Sequence, residues 1–328
     1  MVEIPEFRKL INFGKTSYVI SLPKDWIKKN KLSKGDTLVL EECDGGLLVA
    51  PKITAKKKKK LETRINIDGK TFEEIRREII SCYIDGYNTL VILGEKLDKL
   101  SKKIKKEIIS SLMGIEIIEE TSNKLILKDF IAPEQIDPIE LVRRMDIITR
   151  EMLIDVRDFI EHPKVSVANI YMRDDEVNRL HYFIQRLIGN YAENNTNRFN
   201  PFQLSALSHI SNMIERVADE VKRIAKYLNR ISSKEELLKS GFKNVYKEFE
   251  KFYLKVMKAL FLQERNIALK ESGKKQELIT KSNKLLEKLH HIKWAPSAIE
   301  KLKNAILLTN EIGRITSRIS FAKIKNDS

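Results

Sequence analysis

Basic side chains concentrate in the first sixty residues of the chain, among short apolar runs and hydroxyl groups. This segment holds 14 Lys or Arg residues against 7 Asp or Glu residues, and the full chain of 328 residues carries a formal charge of +15. Cations at this density bind phosphate groups by displacing counterions, which supplies most sequence-independent affinity for DNA. The composition therefore favours a nucleic acid as partner, and a solvated lysine-rich surface is the simpler alternative.

Turn and helix signals divide the same segment into small elements that could position these cations. Gly14 suits a tight turn between two short strands, because glycine readily adopts positive φ. Pro23 suits the first turn of a short basic helix, since it has no amide hydrogen to leave unpaired. Asp44-Gly45-Gly46 separates two further runs and predicts a second hairpin. Two hairpins enclose little core alone, so we expect the segment to dimerise.

The order of these elements resembles the AbrB/SpoVT/MazE swapped-hairpin family over residues 4–52. Three segments carry the resemblance: Gly14-Lys15-Thr16-Ser17, Leu22-Pro23-Lys24-Asp25-Trp26 and Leu32-Ser33-Lys34-Gly35-Asp36. In that family two chains interleave their hairpins into one small barrel, and the basic face of the barrel contacts double-stranded DNA. The resemblance implies that the DNA contacts are made by Arg8, Lys9, Lys15, Thr16, Ser17, Lys24 and Lys28.

Length and composition limit the remaining possibilities. A chain of this length accommodates two or three domains. The two cysteines, Cys43 and Cys82, provide no disulfide framework. No apolar run approaches the length of a membrane span and the N-terminus has no apolar signal core, so we expect a cytoplasmic protein without membrane insertion. No catalytic triad or zinc-protease motif emerges, which makes an enzyme the least favoured class.

The middle of the chain, residues 61–130, has the pattern of a small α+β domain with the order β-α-β-α-β-β. Thr71 can cap its first helix, and Thr121-Ser122-Asn123 separates its last two strands. We expect a role in dimerisation or spacing, with a small-molecule sensor as the alternative. The five lysines at 56–60 predict an exposed linker, which could also extend the contact with DNA phosphates.

From residue 138 onward the apolar spacing is helical. Three helices end near Arg230, and three more are expected at about 242–270, 277–291 and 296–324, which predicts two three-helix units in tandem. The clearest helix has apolar residues three and four apart, as in the seam of a helical bundle. The apolar residues of this seam are Leu204, Leu207, Ile210, Ile214, Val217, Val221, Ile224, Leu228 and Ile231.

This helical half resembles PhoU, the regulator of phosphate uptake, which is a tandem repeat of three-helix bundles. An AbrB-like head followed by a PhoU-like tail is similar to a group of archaeal proteins. We therefore expect a multidomain chain with an all-β swapped-hairpin domain at 1–55, a small α+β domain at 61–130 and an all-α PhoU-like domain at 138–328. The two repeats of the helical domain are expected at about 138–232 and 235–325.

The PhoU resemblance also implies a metal site. PhoU repeats carry motifs in which Glu or Asp is followed four residues later by Asp, and these motifs gather metal clusters on the bundle surface. Glu215 and Asp219 match the motif, whereas the match that begins at Asp174 has Asn178 in place of the second carboxylate. Residues four apart share one helical face, where oxygen ligands could hold a divalent or ferric cation. Solvated carboxylates are the alternative at these three positions.

The second helical unit departs from the same motif. Asn310 and Arg314 stand where the first unit has Glu215 and Asp219. Arginine carries a permanent positive charge and cannot ligate a metal. We therefore expect no second metal site.

These observations lead to two functional hypotheses. The first is a homodimeric, DNA-binding transcriptional regulator linked to phosphate uptake, whose helical half receives a signal. The second is a PhoU-like interaction protein that regulates components of a phosphate transporter, with the N-terminal domain serving only for dimerisation. An antitoxin fits less well, because antitoxins usually end in a short disordered tail rather than in a long helical half.

Overall fold

The chain divides into two compact units between residues 60 and 61, called here the N-terminal unit and the C-terminal unit. The computed structural model describes residues 7–43, 46–51, 62–131, 136–162, 166–193, 198–319 and 321. The lysines at 56–60, the turn residues 44 and 45, and the predicted helical residues 322–324 lie outside these ranges.

Two antiparallel hairpins and one short helix form the N-terminal unit. The first hairpin turns at Gly14, whose φ of +77° lies in the left-handed region that favours glycine. Pro23 was predicted in the first turn of the helix but is the residue just before it, with an extended ψ of 130°. In chain order the elements are β1 (Ile11–Phe13), β2 (Ser17–Val19), α1 (Lys24–Lys29), β3 (Leu38–Cys43) and β4 (Gly46–Pro51).

The C-terminal unit begins with a four-stranded sheet, and the predicted order β-α-β-α-β-β is confirmed. The elements are β5 (Glu62–Asn66), α2 (Phe72–Ile84), β6 (Thr89–Leu93), α3 (Leu97–Glu107), β7 (Ile115–Glu120) and β8 (Lys124–Asp129). The strands lie in the order β5-β6-β8-β7, with β5 and β6 parallel and the other pairs antiparallel. Thr71 caps α2 as predicted: its Oγ1 accepts from Glu74 N at 3.3 Å.

Helices form the rest of the C-terminal unit, as predicted. The elements are α4 (Pro138–Glu161), α5 (Ala168–Glu193), α6 (Pro201–Arg230), α7 (Lys234–Lys239), α8 (Phe242–Leu262), α9 (Arg265–Ser272), α10 (Lys274–Leu289) and α11 (Ala295–Thr316). The predicted seam of α6 is confirmed, because all nine of its apolar residues are buried. Helix α6 packs against α4, α5 and α11, so one core extends through both helical units.

The second helical unit is more divided than the sequence predicts. The prediction of a single helix at 242–270 is wrong, because Gln263 adopts a φ of +57° and ends α8. A left-handed residue cannot continue a right-handed helix, so the chain restarts as α9. The last helix ends at Thr316, before the predicted limit of 324.

Helix α5 joins the sheet to the helical bundle. Phe183, Leu187 and Tyr191 on this helix belong to the core of the sheet. Arg186 on the same helix is buried, and its Nη2 lies 2.5 Å from Asp129 Oδ2 at the end of β8. The sheet and the bundle are therefore parts of one compact unit.

Candidate nucleic-acid interface

The first group of predicted DNA contacts lies at the tip of the first hairpin. Lys15 and Thr16 occupy the turn between β1 and β2, and Ser17 opens β2 opposite Phe13. All three side chains are exposed. A glycine turn therefore presents one cation and two hydroxyl groups to solvent at adjacent positions.

The second group lies on α1. Lys24 and Lys28 are four residues apart and exposed, which places them on one face of the helix. Asp25 in the first turn complements the helix dipole, as Lys28 does in the last. Asn30 closes the helix by donating from Nδ2 to Trp26 O at 2.8 Å. The helix thus holds two cations in a defined orientation.

Arg8 and Lys9 precede β1 and are also exposed. Arg8 donates from Nη1 to Phe7 O at 3.3 Å. Within the described ranges, no carboxylate pairs with Lys9, Lys15, Lys24 or Lys28. These lysines can therefore approach a polyanion without first breaking an ion pair to any described residue.

Large apolar side chains of the N-terminal unit are exposed beside these cations. Phe13 is 69% exposed, Tyr18 65% and Leu40 62%. Among the residues whose burial is described between 7 and 51, none is buried. Exposed apolar patches mark association surfaces, and the described residues of the N-terminal unit form no buried core of their own. A single copy therefore leaves its strands uncovered.

A separate acidic cluster, formed by Asp174 on α5 and by Glu215 and Asp219 on α6, contains the predicted metal ligands. Lys222 lies between two of them, with its Nζ 2.5 Å from Asp174 Oδ2 and 3.0 Å from Asp219 Oδ1. Arg223 adds a second cation, 2.6 Å from Asp219 Oδ2. The structure brings the three carboxylates together but places an ammonium group among them.

Glu215 differs from the other two carboxylates. It makes no hydrogen bond or ion pair with any described residue. Burial raises its pKa to about 7, and the negative charges of Asp219 and Asp174 add to the shift. Burial also raises the pKa of Asp174. Burial alone would lower the pKa of Lys222, but its bonds to Asp174 and Asp219 raise it on balance.

This arrangement bears directly on the predicted metal site. The part of the chain that the structure describes has no group of three or more His, Cys, Asp or Glu side chains placed to hold a metal ion. Lys222 and Arg223 already neutralise two of the three carboxylates. Sequence reasoning missed both cations, although their positions three and four residues after Asp219 predict ion pairs on a helix.

Two family models match separate parts of the chain. A family model described as the PhoU domain matches residues 142–228. A second, described as the antidote-toxin recognition protein MazE, a bacterial antitoxin, matches residues 13–59. No curated protein and no solved structure matches the chain.

The matched ranges contain most of the predicted site residues. Arg8 and Lys9 precede the MazE range, 13–59, and the helices from α7 onward follow the PhoU range, 142–228. None of the described helices is long and apolar enough to cross a membrane.

Proposed function

We propose that this chain, in which a MazE/AbrB-like segment is joined to a PhoU domain, is a homodimeric DNA-binding transcriptional regulator of phosphate uptake. One observation carries the proposal. The described part of the N-terminal unit has both exposed lysines without an acidic partner and strands whose large apolar side chains are exposed. A second copy would cover the strands, and DNA would use the lysines.

The exposed apolar residues support the proposed dimer. Burying one large apolar side chain contributes roughly 1.5 to 3 kcal/mol. Each copy offers several, among them Phe13, Tyr18 and Leu40. Interlaced hairpins would bury these side chains twice over, once from each copy. The resulting association would make folding of the N-terminal unit depend on protein concentration.

In the proposed complex, lysines and hydroxyl groups have different tasks. Lys15, Lys24 and Lys28 would contact phosphates and fix the position of the dimer on the duplex. Thr16 and Ser17, at the exposed turn, would be placed to reach base edges, and Arg8 would be suited to guanine. The proposed cytoplasmic location agrees with a duplex partner.

Salt-dependent DNA binding tests this proposal. We expect Lys15→Ala and Lys24→Ala to weaken binding to all duplex sequences, because phosphate contacts carry no sequence information. If each lysine contacts one phosphate in each copy, each substitution makes the negative slope of log K against log salt shallower by about 1.8. Lys102→Ala, an exposed lysine of α3, is the matched control and should change neither quantity. An unchanged slope in both head variants would refute the phosphate contacts.

The second candidate function, an interaction protein for a phosphate transporter, is favoured by the PhoU match over 142–228. In this reading the N-terminal unit would serve only to dimerise. Full-length protein that sediments as a dimer but does not retain duplex DNA at low salt would support this candidate over the first.

Metal binding is a further part of the proposal that depends on Lys222. A divalent or ferric ion could use Asp174, Glu215 and Asp219 only after the Lys222 ammonium leaves its place between two of them. Protonation of Glu215 near neutral pH would also compete with the metal. We therefore expect weak uptake at neutral pH.

A further inference from the structure

One edge of the four-stranded sheet has the properties of a surface that pairs with another strand. The strands lie in the order β5-β6-β8-β7, so β5 and β7 are the two edge strands of the described sheet. No described strand pairs with the outer side of β5. An edge strand presents a row of main-chain donors and acceptors, which makes it a template for pairing with a further strand.

The edge at β7 is poorly suited to such pairing. A bulge between Ile117 and Glu119 interrupts its register with β8. Bulges bend a strand and disturb the regular spacing that a partner needs. The charged residues of β7 are Glu116, Glu119 and Glu120, so a second copy of this strand would bring like charges together. Strand β5 pairs with β6 in continuous register over its whole length and therefore provides the regular edge.

Strand geometry identifies the main-chain groups of β5 that point outward. Directly after the strand, Ile67 donates its N–H to Leu93 O of β6 at 2.9 Å. In a parallel pair, alternate residues of one strand direct their N–H and C=O groups to the same neighbouring strand. Every second residue before Ile67 shares its direction, so the main-chain groups of Glu62, Arg64 and Asn66 point away from β6.

The charges on β5 fit a second, antiparallel copy of the same strand. Glu62 and Arg64 are two residues apart and exposed, so their side chains lie on one face of the sheet. If two copies pair about an axis at Thr63, Glu62 of each copy lies directly opposite Arg64 of the other. Each such pair also exchanges two main-chain hydrogen bonds, because both residues direct these groups outward. The two Thr63 side chains meet at the axis, which is a favourable cross-strand pair.

The neighbouring registers bring like charges together. An axis at Arg64 would overlap the whole strand but would place the two arginines directly opposite each other. An axis at Ile65 would place Glu62 opposite Asp68 of the other copy. Like charges directly opposite destabilise a strand pair. Charge complementarity therefore selects the axis at Thr63.

The position of β5 in the chain favours this pairing in the proposed dimer. Strand β4 ends at Pro51 and β5 begins at Glu62, so residues 52–61 connect the N-terminal unit to the edge strand. A segment of this length extends over at most about 35 Å. Two chains joined by their N-terminal units would therefore hold both copies of β5 at a high effective concentration. This argument rests on the proposed dimer, whereas the fit between the strands does not.

We propose that β5 pairs antiparallel with β5 of a second copy of the chain about an axis at Thr63. The two four-stranded sheets would then form one continuous sheet. The dimerisation expected for the α+β domain would use this edge. Because Phe183, Leu187 and Tyr191 of α5 belong to the core of the sheet, the shared sheet would also connect the helical halves of the two copies.

Disulfide cross-linking of the full-length protein tests the register. In a non-hydrogen-bonded antiparallel pair, the two Cα atoms are about 4.5 Å apart, which a disulfide can bridge. With Cys43 and Cys82 replaced by serine, Thr63→Cys should therefore form a covalent dimer under mild oxidation. Asn66→Cys is the matched control: this exposed residue lies on the same strand, but its two copies would be roughly 20 Å apart along the pair.

Charge reversal tests the pairing of Glu62 with Arg64. In the Thr63→Cys protein, Arg64→Glu should slow cross-linking about tenfold, because it places two glutamates opposite each other on both sides of the axis. The exchange Glu62→Arg/Arg64→Glu restores opposite charges and should restore the rate. Lys102→Glu reverses the charge of an exposed lysine on α3 and should leave the rate unchanged.

Three results would overturn the proposal. Absence of a cross-link in Thr63→Cys would remove the interface. Equal cross-linking of Thr63→Cys and Asn66→Cys would mean that the chains are near each other without this register. Failure of Glu62→Arg/Arg64→Glu to recover the rate lost in Arg64→Glu would show that opposite charges do not set the register.

DNA binding measured on the same preparations separates this proposal from the proposed function. A Thr63→Cys protein that cross-links but does not retain duplex DNA at low salt supports the β5 pair and refutes the regulator. A protein that retains DNA but forms no Thr63→Cys cross-link refutes only the β5 pair.

Discussion

Arg186 connects the helical bundle to the sheet, and its removal should lower the free energy of unfolding of the C-terminal unit. Its guanidinium donates to Asp129 Oδ2 at 2.5 Å and to Tyr87 O at 3.2 Å, and it also bonds to Tyr83 O. The Arg186 and Asp129 side chains are 6% and 5% exposed. Substitution of Arg186 by Met keeps much of the apolar stem but leaves the buried Asp129 carboxylate without a cation, with Ile131 N still donating to its Oδ1.

The expected loss is large because the partner charge stays buried. Breaking a buried ion pair from one side costs about 3–5 kcal/mol in the free energy of unfolding. The pair itself need not stabilise the fold by that amount, since both charges lose their hydration when buried. We therefore expect Arg186→Met combined with Asp129→Asn to recover at least about 1 kcal/mol, because the double variant has no unpaired charge.

Urea denaturation followed by circular dichroism measures these changes. Arg179→Met is the matched control: this exposed arginine lies on α5 two turns before Arg186, and its loss should change stability by less than about 0.5 kcal/mol. A loss below about 1 kcal/mol for Arg186→Met would refute the reasoning, because a truly buried pair cannot be broken so cheaply. Failure of Asp129→Asn to restore any stability would show that packing, rather than charge, is responsible.

Three further predictions follow from single residues. Burial lowers the pKa of His181 to about 4, and its Nδ1 has no partner, so stability present above pH 6.5 should fall by about 3 kcal/mol as pH falls to 4. His181→Leu should lack this component in urea titrations at each pH, and equal pH profiles would contradict it. Lys222→Ala should increase uptake of iron, zinc or manganese over the wild type, and Glu215→Ala/Asp219→Ala should not; equal uptake by all three would remove the site. Gly14→Ala should destabilise the N-terminal unit by about 1–2 kcal/mol through its φ of +77° alone, because no atom lies within 4 Å of the added Cβ. Thermal melts would check this, and an unchanged melt would contradict the strain.

The order of elements could be predicted because it depends on interactions between near neighbours in the sequence. Thr71 caps α2 through Glu74, three residues away, and the seam of α6 repeats every three or four residues. The same local reasoning placed Gly14 in a turn and began α1 at Pro23, one residue before its observed first residue, Lys24. Local reasoning failed at Gln263, because neither composition nor apolar periodicity indicates that a glutamine adopts a left-handed conformation.

The candidate sites were predictable only in part, for a related reason. The spacing of Glu215 and Asp219 placed them on one helical face, but the hydrogen bond from Lys222 to Asp174 spans 48 residues and two helices. The seven predicted DNA contacts are all exposed, and their contact with a duplex stays a prediction.

The sequence by itself determined the hairpins of the N-terminal unit, the helices of the second half and the positive charge of the N-terminal unit. It could do so because turn residues, periodicity and composition are local properties. Only the tertiary structure decided which distant charges meet. It placed Lys222 among carboxylates and Arg186 against Asp129. Such pairings depend on how helices pack, and packing is selected by the fit of whole surfaces rather than by any short stretch of residues.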